Sequence, residues 1–347
     1  MPSLATIPTE ITLLITSFLP PNGGLGSLVR TNRHHYNTLN TVLYKRAAAE
    51  LEPQHILEWA LTNESETVLD VLLAQGLDLD DPLIRDDGFA KHWYPWSFEL
   101  PTPLLAAVAG GNDWAVLTLI KKGVNVNTSK EFNETPLHHA ARWGYTSLIR
   151  PLVEAGADIE ARTLSSWCTP LWVASHCAGW EDPRRKRNTL EAIRELVALG
   201  ADIEAKDFKS DLTCLMEAIE SGYVKAVPVL LGCGASTKVK GKRGRNEPQP
   251  LHFALRKGWL ATIRDLVEHG ADIEATIGCI PNIYVGSPLE YFHYERQEYI
   301  DTLARTGRQI GDISPPMKDA FTDEGVEEVV RLLTPKTGRE HTELVVG

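Results

Sequence analysis

The stretch ETPLHHAARWGYTSLIRPLVEAGADIEAR, residues 134–162, contains two short helix-like segments that meet at Gly144. Thr135 suits the N-cap of the first helix, and Pro136 suits its first position, where no N–H group is needed. Gly144 is expected to end that helix, and Gly156 is expected to close the second. Two helices this short cannot bury an apolar face alone, so the stretch predicts a unit that must stack on neighbouring units.

Two phrases from this stretch recur along the chain. The Thr-Pro-Leu phrase and its weaker copies begin at Thr102, Thr135, Thr169, Thr213, Gln249 and Ser287. The Gly-Ala-Asp phrase and its variants begin at Gly123, Gly156, Gly200, Gly234 and Gly270. The regular step is roughly 33 residues, and two linked phrases recurring in step are a specific signal. From about residue 53 to residue 335 the chain is similar to the ankyrin-repeat family, and this resemblance implies an all-α repeat solenoid.

Two adjacent histidines in the first helix need an explanation, because paired histidines can also serve as metal ligands or catalytic bases. His138 falls at the third helical position, from which a side chain can reach back to the cap. The ankyrin pattern itself carries histidine there, and His252 occupies the same place in a later unit. His139 takes a position that varies between units, so we expect it near the inner groove, beside Trp143 and Trp172.

Residues 1–48 contain neither phrase and have the pattern of short amphipathic helices. The order of their apolar residues resembles the F-box over residues 3–48. In that family the F-box docks on the Skp adaptor of an SCF-type ubiquitin ligase. The residues that the resemblance places against the adaptor are Pro8, Ile11, Ile15, Leu19 and Leu28. The alternative is that this segment is a helical cap on the repeats.

These features predict an all-α chain in which a small helical F-box-like domain precedes an ankyrin-repeat solenoid. We expect the F-box-like domain at 1–48, and an atypical first ankyrin-like unit with an aromatic-rich connecting loop at 49–99. The repeat array and its C-terminal capping repeat follow at 100–335, and a tail follows at 336–347. The terminal units match the pattern loosely, as capping repeats usually do.

Charge and cysteine content limit the classes of function. Lys and Arg number 35 and Asp and Glu number 46, so the net charge is −11, and we expect no nucleic-acid binding, which needs a basic face. The apolar run ITLLITSFL near the N-terminus is too short to span a bilayer, so we expect no membrane insertion. Five scattered cysteines form no CxxC pair. That pattern favours a reducing compartment, and we expect a cytoplasmic or nuclear protein.

The variable positions of the repeats predict a groove that binds a protein. Mixed charge beside large aromatic side chains is typical of binding hot spots. An aromatic insertion before the first Thr-Pro-Leu phrase either folds back as a lid or contacts a partner. The residues predicted to bind through the groove or the insertion are Trp93, Trp96, His139, Arg142, Trp143, Trp172, His176, Glu217, Glu220 and Arg256. The alternative is a groove that is merely solvated.

The chain shows no sequence signature of chemistry. It contains no GxSxG, no P-loop and no zinc-ligand spacing, so we predict no catalytic residue, no metal and no other cofactor. Two basic runs, at 183–187 and 238–245, predict solvated loops, an acidic partner or a nuclear import signal.

Three functions stay open at this point. The combination of F-box and ankyrin repeats resembles the substrate receptors of SCF-type ubiquitin ligases, which join a protein substrate to the Skp adaptor and the cullin ligase core. A plain ankyrin scaffold would need only the groove. An enzyme would need a converging catalytic set and a closed pocket, for example among Trp143, Trp172 and Glu217.

Overall fold

In the computed structural model the described residues are 57, 60–62, 64–82, 102–129, 133–164, 167–177, 188–241, 248–276, 286–306 and 319–335. They form helices and turns, with an isolated antiparallel bridge between Lys206 and Thr213. Within these ranges the chain is all-helical, as predicted. The F-box-like segment with its adaptor-facing residues, the aromatic insertion with Trp93 and Trp96, and the basic run at 183–187 lie outside the described residues.

The chain divides into two units, which are 1–140 with 147–158 and 141–146 with 159–347. The first unit contains α1 (Glu66–Ala74), α2 (Pro103–Gly110) and α3 (Asp113–Lys121). Helices α4 (Pro136–Trp143) and α5 (Thr146–Glu154) have residues in both units. The second unit contains α6 (Pro170–His176), α7 (Thr189–Ala198), α8 (Cys214–Ser221), α9 (Ala226–Gly232), α10 (Pro250–Lys257), α11 (Leu260–Glu268), α12 (Pro288–Thr306), a 3-10 turn (Asp319–Phe321) and α13 (Asp323–Leu333).

Each Thr-Pro-Leu phrase starts a helix where the sequence predicted one. The Thr102 hydroxyl accepts from the backbone N–H of Leu105 at 3.3 Å, and the Thr169 hydroxyl accepts from that of Trp172 at 3.3 Å. These bonds satisfy N–H groups that the first helical turn leaves without a partner, and the proline that follows has none to satisfy. Helix α4 likewise begins directly after Thr135.

In the first unit, α2 packs against α3 through side chains that are fully buried, including Leu104, Ala107 and Leu119. Small residues such as Ala107 allow the two helix backbones to approach closely. Charged pairs at the surface link α1 to the end of α3, where the Lys121 ammonium lies 2.9 Å from the Glu66 carboxylate. Because that pair is exposed, it contributes little to stability compared with the apolar contacts.

In the second unit the helices form two rows. The inner-helix row is α6, α8, α10 and α12, and each helix in it packs against the next. The outer-helix row is α7, α9, α11 and α13, and neighbours in this row are also in contact. The last pair is closed by aromatic packing, since the ring centroid of Phe321 lies 5.6 Å from that of Phe292 and 5.3 Å from that of Tyr299.

The turns that follow the outer helices are joined by a repeated hydrogen bond, which we name the turn ladder. In the first unit, Asp80 Oδ1 accepts from Asn125 N at 2.9 Å, and Asn127 Oδ1 accepts from Asp158 N at 2.8 Å. In the second unit, Glu160 Oε1 accepts from Asp202 N at 2.8 Å, and Glu204 Oε1 accepts from Ser236 N at 2.6 Å. The acidic or amide residue of each turn therefore holds the backbone of the next turn. In the turns that begin with a Gly-Ala-Asp phrase or its variant, the acceptor stands two residues after the third residue of the phrase.

Candidate protein-interaction surface

Three side chains of the inner-helix row and one from the turn after α8 converge in the second unit, and we name them the aromatic cluster: Trp172, His176, Glu217 and Tyr223. The rings of Trp172 and His176 are stacked, with centroids 5.1 Å apart. Tyr223 meets the imidazole edge-on, at a centroid distance of 5.4 Å. The Nδ1 atom of His176 lies 3.0 Å from Glu217 Oε1. The structure thus brings together three residues that the sequence assigned to the groove.

The fold places these side chains through simple helical spacing. Trp172 and His176 are four residues apart on α6, so they share one face of that helix. Glu217 comes from α8, the next inner helix, and its carboxylate also accepts a hydrogen bond from the Ser221 hydroxyl. The side chain of His176 is 42% exposed while that of Glu217 is 11% exposed. The carboxylate therefore lies beneath the imidazole and orients it toward solvent.

The aromatic cluster combines apolar surface with polar edges. The pKa of the Tyr223 phenol is raised, first by burial and then by nearby Cys177 and Glu217, so the phenol is protonated at neutral pH and can donate a hydrogen bond. In the described part of the chain, the buried Trp172 Nε1 has no hydrogen-bond partner. Large amphipathic rings with polar edges are the side chains that dominate protein interfaces.

A charged group continues this surface from α8 to α10. The Glu220 carboxylate forms an ion pair with the Arg256 guanidinium, and Lys257 Nζ lies 3.9 Å from Glu220 Oε1. Arg256 also lies over the Phe253 ring, 5.9 Å from its centroid. Ion pairs that are partly exposed, as these are, add little to stability. Because these charged side chains are partly exposed, they can orient a partner.

The two histidines of the opening stretch have different environments. His138 Nδ1 lies 3.2 Å from the backbone N–H of Thr135 and 2.9 Å from its hydroxyl, which confirms the predicted reach back to the cap. His139 is buried, with 4% of its surface exposed, and its Nε2 lies 3.5 Å from the Glu134 carboxylate. An open groove position would be more exposed than this. Whether His139 contacts a partner stays a prediction.

Other predicted site residues lie outside the aromatic cluster or outside the described residues. Arg142 and Trp143 are half-buried near the end of α4. Trp93 and Trp96 cannot be assigned to the surface, because they lie outside the described ranges. The same holds for Pro8 and the other predicted adaptor contacts.

Tyr223 was not among the residues predicted for the groove. It directly follows the helix-ending Gly222, and its ring contacts His176. A sequence signal existed, since an aromatic residue follows such a glycine in several repeats: Tyr145, Tyr223 and Trp259. Trp259, whose ring centroid lies 6.0 Å from the Lys257 ammonium, was missed in the same way.

Burial raises the pKa of the Cys214 thiol to about 12, so this cysteine is protonated at neutral pH and is a poor nucleophile. Cys168 is buried as well. Among the residues that the structure describes, no three His, Cys, Asp or Glu side chains are grouped to hold a metal ion. Nor does any helix in these ranges have the length and apolar character to cross a membrane.

Known proteins match this chain through the same region. The model of the family of ankyrin repeats (3 copies) matches residues 35–163 and 185–277. Among solved structures, the ankyrin repeat domain of Bcl-3, described as a unique member of the IkappaB protein family, has a TM-score of 0.53 and 25% sequence identity. The match covers 68% of this chain and 92% of that one.

Relatives with very different names share these repeats. The ankyrin repeat and KH domain-containing protein mask-1 of Caenorhabditis elegans is 33% identical over 59% of this chain and 8% of its own length. The palmitoyltransferase AKR1 of Lachancea kluyveri is 31% identical over 44% of this chain and 20% of its own. The B-cell lymphoma 3 protein homolog of Mus musculus is 32% identical over 60% and 45%.

The chain therefore spans less than half the length of these curated relatives, and their separate activities do not carry over with the match. What they have in common with this chain is the repeat region, whose second unit has two rows of packed helices and an amphipathic inner surface. On the extent of the family match, the chain belongs to the ankyrin-repeat family, and its repeats form a protein-interaction module.

Proposed function

We propose that this protein is the substrate-recognition subunit of an SCF-type ubiquitin ligase. In this proposal the segment at 3–48 docks on the Skp adaptor and so reaches the cullin ligase core, while the inner-helix row holds a protein substrate. The receptor itself carries out no covalent chemistry. The site of action would be the cytoplasm, the nucleus or both.

The observation that carries the substrate-binding half is the aromatic cluster. The His176 ring is in contact with both the Trp172 and the Tyr223 rings, and the carboxylate of Glu217 orients the imidazole from below. Such a preorganised set of amphipathic rings binds a partner without a large loss of side-chain entropy. The adaptor-binding half is supported by the F-box resemblance in sequence alone.

Capture of the purified Skp adaptor tests the ligase half. The full chain should retain the adaptor, whereas a truncation without residues 1–48 should not. Leu19→Asp should also abolish capture, because a charge in an apolar interface is costly to bury. Its thermal melting should match that of the wild type if the repeats fold independently of this contact. Failure of the wild-type chain to retain the adaptor would contradict the ligase proposal.

The alternative is an ankyrin scaffold with no ligase role, which needs only the surface of the repeats. Mass spectrometry of proteins bound to the full chain and to the truncation separates the two. A partner retained by both forms, and lost on His176→Ala, is the expected substrate. If adaptor capture fails while such a partner still binds, the scaffold is the better description.

A further inference from the structure

Two neighbouring turns in the second unit expose large apolar side chains. We name Leu164, Trp167 and Phe208 the fingertip patch. Trp167 is 53% exposed and Phe208 is 82% exposed, yet their rings are in contact, with centroids 5.9 Å apart. Leu164, in the same turn as Trp167, is 70% exposed. Exposed apolar side chains that are clustered, and not scattered singly, mark interaction sites.

The turns that present these side chains are tightly bonded. The buried Asp207 carboxylate accepts from the backbone N–H groups of Lys209, Ser210 and Leu212, at 3.1, 2.8 and 3.0 Å. This network fixes the turn on which Phe208 stands. Arg162 links this turn to Trp167, because its Nη1 atom donates to the carbonyls of Trp167 and Lys206 at 3.1 and 2.9 Å. These bonds fix the backbone at Asp207–Leu212, which carries Phe208, and at Trp167.

Trp167 occupies a backbone position that does not suit it. Its φ is 57°, in the left-handed region, and the corresponding residues of the neighbouring turns are Asn133 with φ 61° and Asp211 with φ 55°. Asparagine and aspartate tolerate that region, whereas a bulky side chain there is strained. A strained residue with a half-exposed indole contributes nothing obvious to folding. Strain of this kind is found at functional sites.

A second local rule is broken two turns after that of Trp167. Asn127, Glu160 and Glu204 supply the acceptor of the turn ladder, but the equivalent residue of this later turn is Lys238, whose side chain has no acceptor. Among the described residues of the second unit the ladder ends at this turn. On either side of the turn that carries Phe208, therefore, a residue that favours stability is replaced, once by an exposed aromatic ring and once by a cation. Departures from local rules are expected where function is selected over stability.

The charge next to the patch is positive on an otherwise acidic chain. Segments 162–168, 206–212 and 238–241 carry the cations Arg162, Lys206, Lys209, Lys238 and Lys240 and two carboxylates. Of these carboxylates, Asp207 is buried and Asp211 Oδ2 lies 3.2 Å from Lys206 Nζ. Glu160 and Glu204, which precede the first two segments, accept the backbone N–H groups of the turn ladder. The hydrogen bond from Lys206 Nζ to the Lys240 carbonyl, at 2.7 Å, keeps the second and third turns together. The whole chain has a net charge of −11.

We propose that the fingertip patch is a second binding surface, which takes a short acidic peptide segment carrying an aromatic or aliphatic side chain. The apolar residue would pack on Trp167 and Phe208, while carboxylates would face Lys209 and Lys238. One exposed aromatic pair with a few cations fits a peptide better than a nucleic acid, which needs a continuous basic groove with successive stacking rings. The proposal requires no F-box and stands apart from the ligase proposal.

The test uses the full chain and a short fluorescein-labelled peptide in which glutamates flank one phenylalanine and one leucine. Fluorescence anisotropy should show binding that weakens with added salt. Phe208→Ser and Trp167→Asn should each weaken binding about tenfold, the scale of a hot-spot residue. The double variant with Lys209→Glu and Lys238→Glu should do the same. Leu117→Ser removes a side chain that is 48% exposed outside the patch, and it should leave the affinity unchanged.

Trp167→Asn provides a second readout, because it relieves the backbone strain. Its melting temperature should rise while its peptide affinity falls, a combination that a merely damaged fold cannot produce. No binding by the wild type, equal binding of a peptide with serines for glutamates, or equal affinity in all variants would overturn the proposal. Tighter binding of a single-stranded oligonucleotide through the same residues would assign the patch to nucleic acid. Concentration-dependent dimerisation lost in Phe208→Ser would assign it to a second copy of the chain.

Discussion

At the scale of single residues, the buried histidines at the third helical position, His138 and His252, cap helices, and His252 shows how protonation governs that role. Its Nδ1 lies 3.1 Å from the backbone N–H of Gln249 and must accept that hydrogen bond. The other ring nitrogen, Nε2, therefore carries the proton and donates to the Ala275 carbonyl at 3.0 Å. Burial, the largest influence, lowers the pKa of His252 to about 4. The imidazole is neutral at pH 7, as the cap requires.

This histidine predicts a loss of stability in mild acid. An unperturbed imidazole has a pKa of 6.5, so between pH 6.5 and pH 4 the unfolded state binds more protons than the folded state. Stability is therefore fully present above about pH 6.5 and falls as pH decreases toward about 4, by about 3 kcal/mol at most. Urea unfolding at pH 7 and pH 4.5 measures this change.

A matched pair of variants assigns the effect to His252. In His252→Gln the group that titrates is gone, so the pH dependence should be shallower, although stability at pH 7 should fall by about 1 kcal/mol because the cap is weakened. His269→Gln changes an exposed histidine and should retain the wild-type slope. An unchanged slope in His252→Gln would show that other groups cause the acid sensitivity.

At the scale of elements, the helix boundaries are set by capping residues that can be recognised in the sequence. Helix α4 starts after Thr135 and ends at Trp143, before Gly144, as predicted. The buried face of α5 consists of Leu148, Ile149 and Leu152, while Val153 is half-buried. Packing against neighbouring helices decides which of these apolar side chains are buried.

Gly144 and Gly156 give a prediction at this scale, since both have positive φ, 65° and 96°. A Cβ on Gly144 would lie 2.6 Å from the Asn188 carbonyl carbon and 2.6 Å from Thr189 N, whereas a Cβ on Gly156 would meet nothing within 4 Å. Gly156→Ala should cost about 1–2 kcal/mol, from backbone strain alone. Gly144→Ala should cost about 1–3 kcal/mol more, because it also displaces the start of α7.

Denaturant unfolding of the two alanine variants measures the difference directly. The backbone bond from Asn188 N to the Gly144 carbonyl, at 2.9 Å, should be lost together with the close approach. Gly144→Ala should therefore speed hydrogen exchange at Asn188, while Gly156→Ala should not. Equal costs for the two variants would show that the approach of these backbones does not constrain the fold.

At the scale of the whole molecule, the turn ladder explains how successive repeats are held at their outer turns. Each ladder bond joins residues that are 31 to 45 positions apart, so it reports on stacking and not on local structure. In the second unit the last acceptor is Glu204, whose pKa is raised chiefly by burial. The next turn has Lys238, and Asp272 in the following turn receives no ladder bond among the described residues.

Supplying the missing acceptor should stabilise the protein. Lys238→Glu can accept from the backbone N–H of Asp272, as Glu204 does from Ser236, and should raise the free energy of unfolding by about 1 kcal/mol. Lys238→Gln offers a neutral acceptor and should act in the same direction. Lys238→Leu removes the charge without adding an acceptor and should give no gain in thermal or urea unfolding. A gain of the same size in all three variants would mean that the lysine charge, and not the missing bond, limits stability.

Much of the fold was predictable because its signals are local. The Thr-Pro-Leu starts, the helix-ending glycines and the cap made by His138 all depend on groups within about four residues of one another. The repeated step then predicted the ankyrin class, since units that cannot bury their own faces must stack. The adaptor contacts from Pro8 to Leu28 were also predicted from sequence, and they stay predictions.

Only the tertiary structure decided which distant side chains meet. Sequence proposed His176 and Glu217 as separate groove residues, but stacking of α6 on α8 joins them at 3.0 Å and adds Tyr223. The tertiary structure also buries His139, which the sequence placed near the inner groove. It also pairs Trp167 with Phe208 across two turns. These contacts depend on the rotation and spacing of one repeat against the next, and the packing of many side chains at once sets both.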